Sequence, residues 1–252
     1  MMLVKNIKKT LGFTLIELMI SMLLGLIVIG GVLSIYISTI QASSDVVKSA
    51  RLNYDLDSVM QFMINDIRRA GYWGGAVTDS DVSANPFMVG TANINSSTGS
   101  CILYTYDFDE DGELDITGGT SDDESEYFGF KLDGDEIKVS AAKTVDGVAN
   151  CGAVDGRWKI ITDSKKVSIT QLAFSNANFQ CLNTTTDEVF DGSCDAAFSA
   201  AGGTVGKLIT GNDAVEIRQI NITLTGNIVN DADVEKTLTS AVKVRNNRIF
   251  TQ

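Results

Sequence analysis

The stretch "GFTLIELMISMLLGLIVIGGVLSIYISTI", residues 12–40, decides the fold class because it is long, apolar and almost free of charge. Between Phe13 and Ile40 the only charged residue is Glu17. About 20 apolar residues in a helix can cross the hydrocarbon core of a bilayer, so this run is predicted to span a membrane. A carboxylate inside such a helix costs about 2.5–3.5 kcal/mol on insertion scales. Glu17 is therefore expected to have a cationic partner and a function.

Two simpler interpretations of this stretch explain less of it. A secretory signal peptide would use Lys5, Lys8 and Lys9 as its basic region. Its apolar region, however, spans about 7–15 residues and ends at a small-residue cleavage site, whereas the run here is far longer and contains Glu17. A plain single-pass anchor accounts for the length but gives Glu17 no role.

The segment "GFTLIE", from Gly12 to Glu17, resembles the processing site of type IV prepilins and pseudopilins. In that family a membrane peptidase cleaves after the glycine, methylates the new terminal amine and leaves a glutamate at the fifth mature position. The resemblance implies a leader peptide at residues 1–12 and a mature chain that begins at Phe13. It also implies that Glu17 pairs with the terminal amine of a neighbouring subunit during filament assembly.

The charge balance agrees with an exported protein. The chain has 20 Lys and Arg residues against 32 Asp and Glu residues, which gives a net charge of −12. The leader carries three of the basic residues and no acid, so the mature chain has 17 basic residues and a net charge of −15. Binding to phosphates needs clustered Lys and Arg, so direct binding of nucleic acid is not expected.

Four cysteines, all beyond the apolar run, are typical of an oxidising compartment. Three pairings can be drawn among them. We favour Cys181 with Cys194, because the polar stretch between them is typical of a loop, and consequently Cys101 with Cys151. A zinc site is the alternative for such a set, but the sequence has no histidine and no CxxC pair.

Beyond residue 40 the apolar pattern keeps a helical period. Apolar residues recur at spacings of three and four from Leu52 to Ala70, whereas Lys48 and Arg51 fall largely off that stripe. Gly71 is a natural stop. The sequence therefore predicts one long helix over residues 13–71, of which residues 13–40 lie in lipid or in a filament core.

Residues 72–252 are predicted to form a β-rich head domain. Seven segments rich in β-branched and aromatic residues are separated by Gly, Asn, Asp and Ser clusters. They are residues 101–106, 126–132, 136–141, 157–161, 167–175, 214–226 and 236–246. "KLDGDEIKV" (131–139) predicts a hairpin in which Asp133 and Gly134 form a type I′ turn. The helix can cover one face of this mainly antiparallel sheet, so the predicted fold class is α+β and type IV pilin-like.

The segment "DIRRAGYWGG" (66–75) and the overall length narrow the resemblance to the PilW family of minor type IV pilins, with the J-type minor pseudopilin next. The resemblance implies a structural protein that assembles with other minor pilins and the major pilin on an inner-membrane platform, to prime or cap a pilus. It would be a single-pass inner-membrane protein with a periplasmic head, and then part of the extracellular pilus. The alternatives are a minor pseudopilin of type II secretion and a tip-displayed adhesin or binding module.

Arg68, Arg69, Tyr72 and Trp73 in this segment are interpreted as helix-end packing rather than as a partner-binding site. Neither an enzymatic role nor an organic cofactor is expected. The chain lacks histidine, the usual general base, and contains neither a P-loop nor a GxGxxG motif.

The stretch "DFDEDGELD" (107–115) predicts a calcium site. Asp107, Asp109, Asp111 and Asp115 occupy positions 1, 3, 5 and 9 of an EF-hand-like loop, with Gly112 at the turn and the carbonyl of Glu113 at position 7. Position 12 holds Gly118 instead of the usual glutamate. The remaining ligand would have to come from water or from one of the nearby acids Asp122, Asp123, Glu124 and Glu126. The alternative is a solvated acidic turn, since Asp-Gly is common in turns.

Overall fold

The structure, a computed structural model, describes residues 12–74, 85–89, 93–96, 99–115, 125–141, 151–152, 158–195, 208 and 211–251. Apart from Gly12, the predicted leader lies outside these residues. The chain divides into two compact units, residues 1–48 and 49–252, which are described in turn.

The first unit is helical from Leu15, where helix α1 (Leu15–Ile67) begins. Its sequence is rich in Leu, Ile and Met, which favour or tolerate helix, and contains no proline. Apolar side chains point outward all round rather than along one stripe. Phe13 is 83% exposed and Ile35 is 69% exposed. A helix that is apolar on every side is typical of a segment surrounded by lipid or by other helices.

In the second unit α1 buries one face. Leu52, Leu56, Met60, Met63 and Ile67 are buried, as their spacing predicted. Ile64, which was not in the predicted stripe, is also buried, whereas Val59, which was, is only partly buried. The helix ends at Ile67, a little before the predicted stop, and the chain tightens into turns in which Arg69 and Ala70 donate to carbonyls three residues back. Gly71 follows with φ 71°, a conformation that glycine adopts without strain.

Eleven strands and one short 3-10 helix are seen in the described part of this unit. The 3-10 helix spans Pro86–Met88. In chain order the strands are β1 (Cys101–Thr105), β2 (Tyr127–Asp133), β3 (Glu136–Ala141), β4 (Trp158–Ile160), β5 (Val167–Ser175), β6 (Gln180–Asn183), β7 (Glu188–Asp191), β8 (Asp213–Ile217), β9 (Gln219–Ile228), β10 (Asp231–Lys243) and β11 (Arg248–Thr251).

The strands form three antiparallel sheets. Strands β1-β2-β3-β4 make a meander, β10-β9-β5 make a second sheet, and β11-β8-β6-β7 make a third. The buried face of α1 and the inward residues of the first two sheets share one hydrophobic core, which includes Ile102, Phe130 and Leu224. A smaller core lies under the third sheet around Ala214 and Leu208. The fold is therefore α+β and pilin-like, as the sequence predicted.

Besides strand β11, which was not predicted, three details of the strand prediction were wrong. The β2–β3 hairpin forms, but its turn residues are Gly134 and Asp135, and of these two only Gly134 has a positive φ, so the turn is not type I′. The predicted strand 214–226 is two strands separated at Arg218. The stretch 181–194, interpreted as a loop, contains the β6–β7 hairpin.

The buried stripe gives a direct test of the core. Met63 is 0% exposed, so Met63→Ala leaves a cavity and is expected to lower the free energy of unfolding by about 2–5 kcal/mol. Gln61→Ala, at an exposed position of the same helix, is the control and should change it by less than about 0.5 kcal/mol. Thermal melting of the full mature chain in detergent micelles, followed by near-UV circular dichroism, measures both. Equal melting temperatures would show that α1 does not contribute this core.

Candidate functional sites: the processing segment and the acidic loop

The predicted cleavage point lies in an exposed, non-helical segment. Gly12, Phe13 and Thr14 precede α1, and all three are exposed. A methyl group added at Gly12 would meet no atom within 4 Å, and the backbone there does not need glycine. The fold of the described chain therefore gives no reason for a glycine at this position.

Thr14 and Glu17 cap the start of α1. The backbone N–H of Glu17 donates to Oγ1 of Thr14 (3.3 Å), and that hydroxyl donates to Oε2 of Glu17 over a long 3.5 Å. This is one half of a capping box, in which Ser or Thr at the N-cap is paired with Glu or Gln three residues later. The sequence interpretation missed this role, although the T-x-x-E pattern before an apolar run signals it. The Glu17 side chain is exposed, so its charge remains accessible to a partner.

Residues 13–40 present what we call the apolar helical surface. Its large apolar side chains are more than half exposed, and α1 is the one helix of the described residues that is long and apolar enough to cross a membrane by length and composition. Gly25, Gly30 and Gly31 have open space where a Cβ would stand. The surface is therefore apolar, locally flat at three glycines, and not covered by the rest of its own unit.

In the acidic loop, residues 107–115, Asp107 is a buried anchor. It follows β1, and its side chain is 0% exposed. Its Oδ2 accepts hydrogen bonds from the backbone N–H groups of Gly74 (2.7 Å) and Gly112 (3.1 Å). Its Oδ1 has no hydrogen-bond partner in the part of the chain that the structure describes. Such an oxygen is unusual, because burial removes the water that would otherwise bind it.

Glu126 reaches the same loop from the start of β2. The antiparallel pairing of Thr105 with Tyr127 places it beside the point where the chain leaves β1. Its side chain is also buried, and each of its oxygens accepts one backbone N–H: Oε1 from Phe108 (2.5 Å) and Oε2 from Asp115 (3.1 Å). Glu126 therefore links the two ends of the acidic loop.

The electrostatics of Glu126 reflect this crowding. The pKa of its carboxyl is raised to about 8, chiefly by burial. The nearby carboxylates of Asp107 and Asp109 contribute to this rise, while the two backbone N–H groups act in the opposite direction. The two N–H groups thus only partly offset the cost of placing a second carboxylate beside Asp107.

The predicted metal ligands form two overlapping groups that share Asp109. One oxygen from each of Asp107, Asp109 and Glu126 lies within 4.8 Å of the others, and the same holds for Asp109, Asp111 and Asp115. The N–H of Glu113 donates to Oδ1 of Asp111 (2.7 Å), while the role predicted for its carbonyl stays a prediction. Gly118 and the candidate ligands Asp122, Asp123 and Glu124 lie outside the described residues.

The segment after α1 packs against this loop. The indole N–H of Trp73 donates to the carbonyl of Gly112 (2.8 Å), and the guanidinium of Arg69 lies 4.1 Å from the ring centre of Tyr106. The N–H of Asp107 donates to the carbonyl of Tyr72 (3.0 Å). These contacts favour the interpretation of Arg69, Tyr72 and Trp73 as helix-end packing.

Two disulfides close rings in the second unit. Cys101 is bonded to Cys151, and Cys181 to Cys194. This is the pairing that the sequence favoured, although the shorter ring encloses a hairpin rather than a loop. In the chain-entropy description, rings of these sizes stabilise the folded state by about 3–4 kcal/mol each.

A buried charge cluster beside the shorter ring was not anticipated from the sequence. Glu216 on β8 accepts the N–H of Cys194 (3.1 Å) and lies 3.8 Å from Nη1 of Arg248. Burial raises the pKa of Glu216 and lowers the pKa of Arg218 to about 10. Arg218 donates to the carbonyl of Asn246 (2.5 Å). These contacts join β8, the disulfide and the turn before β11, which is a structural role.

Two family models match the chain. The model described as "Prepilin peptidase-dependent protein B" matches residues 45–244, and the model described as "Prokaryotic N-terminal methylation motif" matches residues 7–33. No curated protein and no solved structure matches it. The shorter match contains Gly12, Phe13 and Glu17, and the longer one contains the acidic loop.

The turn of the acidic loop can be tested through its glycine. Gly112 has φ 87°, so Gly112→Ala forces an L-residue into the left-handed region and is expected to cost about 1–2 kcal/mol of stability. Glu113→Ala, at the exposed next residue, is the matched control and should melt like the parent chain. Thermal melting of the full mature chain in micelles measures this. A Gly112→Ala melting temperature equal to that of the control would contradict the described turn.

Proposed function

Because the chain belongs to the prepilin peptidase-dependent protein B family, we propose that it is a minor type IV pilin that assembles with other pilins to prime or cap the pilus. Its family and its methylation motif make it a type IV pilin or pseudopilin that prepilin peptidase processes, anchored in the membrane by its apolar helix before it enters the pilus. The matched families are pilin-like structural proteins, which is consistent with a role that needs no catalysis.

The observation that carries this proposal is the exposed processing segment ahead of the apolar helical surface. The peptide bond between Gly12 and Phe13 lies outside the helix, where a protease can bind the backbone in an extended form. Cleavage there converts the backbone nitrogen of Phe13 into an amine at the start of the membrane helix. A cation is thereby created a few residues from Glu17.

Glu17 then acts in docking. Its long hydrogen bond to Thr14 does not neutralise its charge, and a carboxylate in lipid is costly without a cation. The terminal amine of a neighbouring subunit supplies that cation when two helices lie side by side. Pairing therefore favours the filament over the separate subunit in lipid and selects one register between the helices.

Packing along the rest of the apolar helical surface supplies the remaining stabilisation. Lipid chains are as apolar as leucine, so association depends on close van der Waals contact rather than on the hydrophobic effect. Gly25, Gly30 and Gly31 allow neighbouring backbones to approach closely there. The large side chains between them fill the grooves of the neighbouring helix.

We further propose that the chain is a minor pilin of the PilW type, with a head that faces the periplasm before assembly. Its partners would be other minor pilins, the major pilin and the inner-membrane assembly platform. A minor pseudopilin of type II secretion is the alternative, and co-purification with pilus or with pseudopilus subunits separates the two. A second alternative is a binding module displayed at the tip of the pilus. It is favoured by an open groove of about 300 Å³ that is lined by Tyr54, Val59 and Ile161, among others.

Processing gives the first test. In cells with active prepilin peptidase, the mature chain should begin at Phe13 with a methylated amine, because Gly12 is exposed and lies within the methylation motif. Mass spectrometry of the amino-terminal peptide measures this. The same peptide from cells without the peptidase should retain the leader. An intact Met1 or Met2 terminus in the presence of the peptidase would refute the proposal.

A substitution of Glu17 gives the second test. Because Glu17 also contacts the helix cap, the substitution should remove its charge without removing its acceptor oxygen. Glutamine at this position can still accept the hydrogen bond from the hydroxyl of Thr14 but has no charge. Glu17→Gln is therefore expected to insert in the membrane and to be processed, yet to be reduced at least tenfold in sheared pili. Quantitative immunoblotting of membrane and pilus fractions measures both steps.

The matched control for this test is Ser21→Ala, one turn further along the same exposed helix. It should enter pili like the parent chain. Glu17→Gln at parental levels in the pilus fraction would show that the charge has no role in docking.

A further inference from the structure

We propose that the acidic loop binds Ca²⁺, with Asp107, Asp109 and Glu126 as its central carboxylates. Asp111, Asp115 and the main-chain carbonyl of Glu113 complete the set of oxygens. The proposal goes beyond assembly of the filament, and its first support is the pairing of β1 with β2 described above.

That pairing supplies the glutamate that the linear motif lacks at position 12. An EF-hand loop takes its bidentate glutamate from position 12, where this chain has Gly118. The register Thr105↔Tyr127 brings Glu126 to the base of the loop, beside Asp107. The missing carboxylate thus comes from the neighbouring strand instead of from the loop itself.

The second, independent support is the unpartnered oxygen of Asp107. The side chain is 0% exposed, and the backbone N–H groups of Gly74 and Gly112 both bind Oδ2. Oδ1 has no hydrogen-bond partner among the described residues, and the carboxylate lies in the group that contains Asp109 and Glu126. A cation bound to Oδ1 would satisfy it, while the two N–H groups hold the carboxylate in place.

Glu126 adds a charge argument. It is buried beside a second buried carboxylate, and no cationic side chain bonds to it in the described contacts; both its hydrogen-bond partners are backbone N–H groups. Each of its oxygens has a lone pair left after accepting one N–H, so both remain able to bind a metal ion.

The chemistry of the donors favours Ca²⁺. All candidate donors are oxygens, the chain has no histidine, and its four cysteines form disulfides. Ca²⁺ takes six to eight oxygens in flexible geometry, whereas Mg²⁺ requires a near-ideal octahedron and retains water. Several ligands here are exposed side chains on a short loop, so the affinity expected is that of extracellular modules, with a Kd of about 10⁻⁴–10⁻³ M.

The rival explanation is a proton. A proton on Glu126 would also remove one of the two adjacent charges, without any metal. If a proton alone removes the charge, Ca²⁺ leaves the melting temperature of the chain unchanged at neutral pH. If Ca²⁺ binds, it raises the melting temperature, and Glu126→Gln abolishes that rise.

The experiment uses the full mature chain in detergent micelles. Calcium is titrated by calorimetry, and thermal melting is compared in millimolar CaCl₂, millimolar MgCl₂ and chelator at matched ionic strength. Trp73, whose indole N–H bonds to the carbonyl of Gly112, provides a fluorescence signal from the loop. We expect saturable binding, a higher melting temperature in Ca²⁺ than in Mg²⁺ or chelator, and a change in Trp73 emission that a Trp73→Phe variant loses.

Two variants and a control complete the test. Asp109→Asn, at an exposed position, should keep the fold and weaken Ca²⁺ binding at least tenfold. Glu126→Gln should abolish the calcium-dependent shift, because it removes one of the two buried carboxylates of the site. Asp135→Asn, at an exposed acid in the β2–β3 turn, should bind like the parent chain. Coincident parent curves in Ca²⁺ and chelator, or equal shifts with Mg²⁺, would overturn the proposal.

Discussion

Apolar surface that is unfavourable in water is the constraint on which the rest of this structure depends. One helix carries two kinds of it. Between residues 13 and 40 the side chains are apolar on all sides and exposed, whereas from Leu52 to Ile67 a single face is apolar and buried. Each large side chain removed from water contributes about 1.5–3 kcal/mol. The buried face packs against the sheets of the second unit. The exposed apolar part is stable only in lipid or against other helices, and this requirement links the fold to assembly.

The parts of the fold that local pattern determines were predictable. The helical spacing from Leu52 to Ala70 and the residue pattern of β1, β3 and β5 are local. Strands β3 and β5 have the predicted bounds, β1 ends one residue before its predicted end, and α1 ends at Ile67 rather than at residue 71. The short strands β6, β7 and β11 were missed because four residues carry too little alternation to stand out. The break at Arg218 was missed because a distant contact with Asn246 stabilises it.

The candidate sites show the same division. Gly12, Phe13 and Glu17 lie in one short motif, so sequence alone could nominate them, although it overlooked the hydroxyl of Thr14 as the helix cap. In the acidic loop the sequence placed four aspartates at positions 1, 3, 5 and 9 of a calcium-binding loop but could offer Glu126 only as one of several acids. Its place beside Asp107 depends on the register of two strands, and register depends on which faces of both strands are buried.

The two disulfides also determine how the second unit would respond to a pulling force along a filament. A crosslinked ring cannot unravel, so the 50-residue separation between Cys101 and Cys151 withholds about 170 Å of contour length, and the 13-residue separation between Cys181 and Cys194 about 45 Å. The first ring contains β2, β3 and the acidic loop. Even a subunit that loses its packing under tension would therefore lengthen little through this region, and its strands would stay close enough to pair again when the force is released.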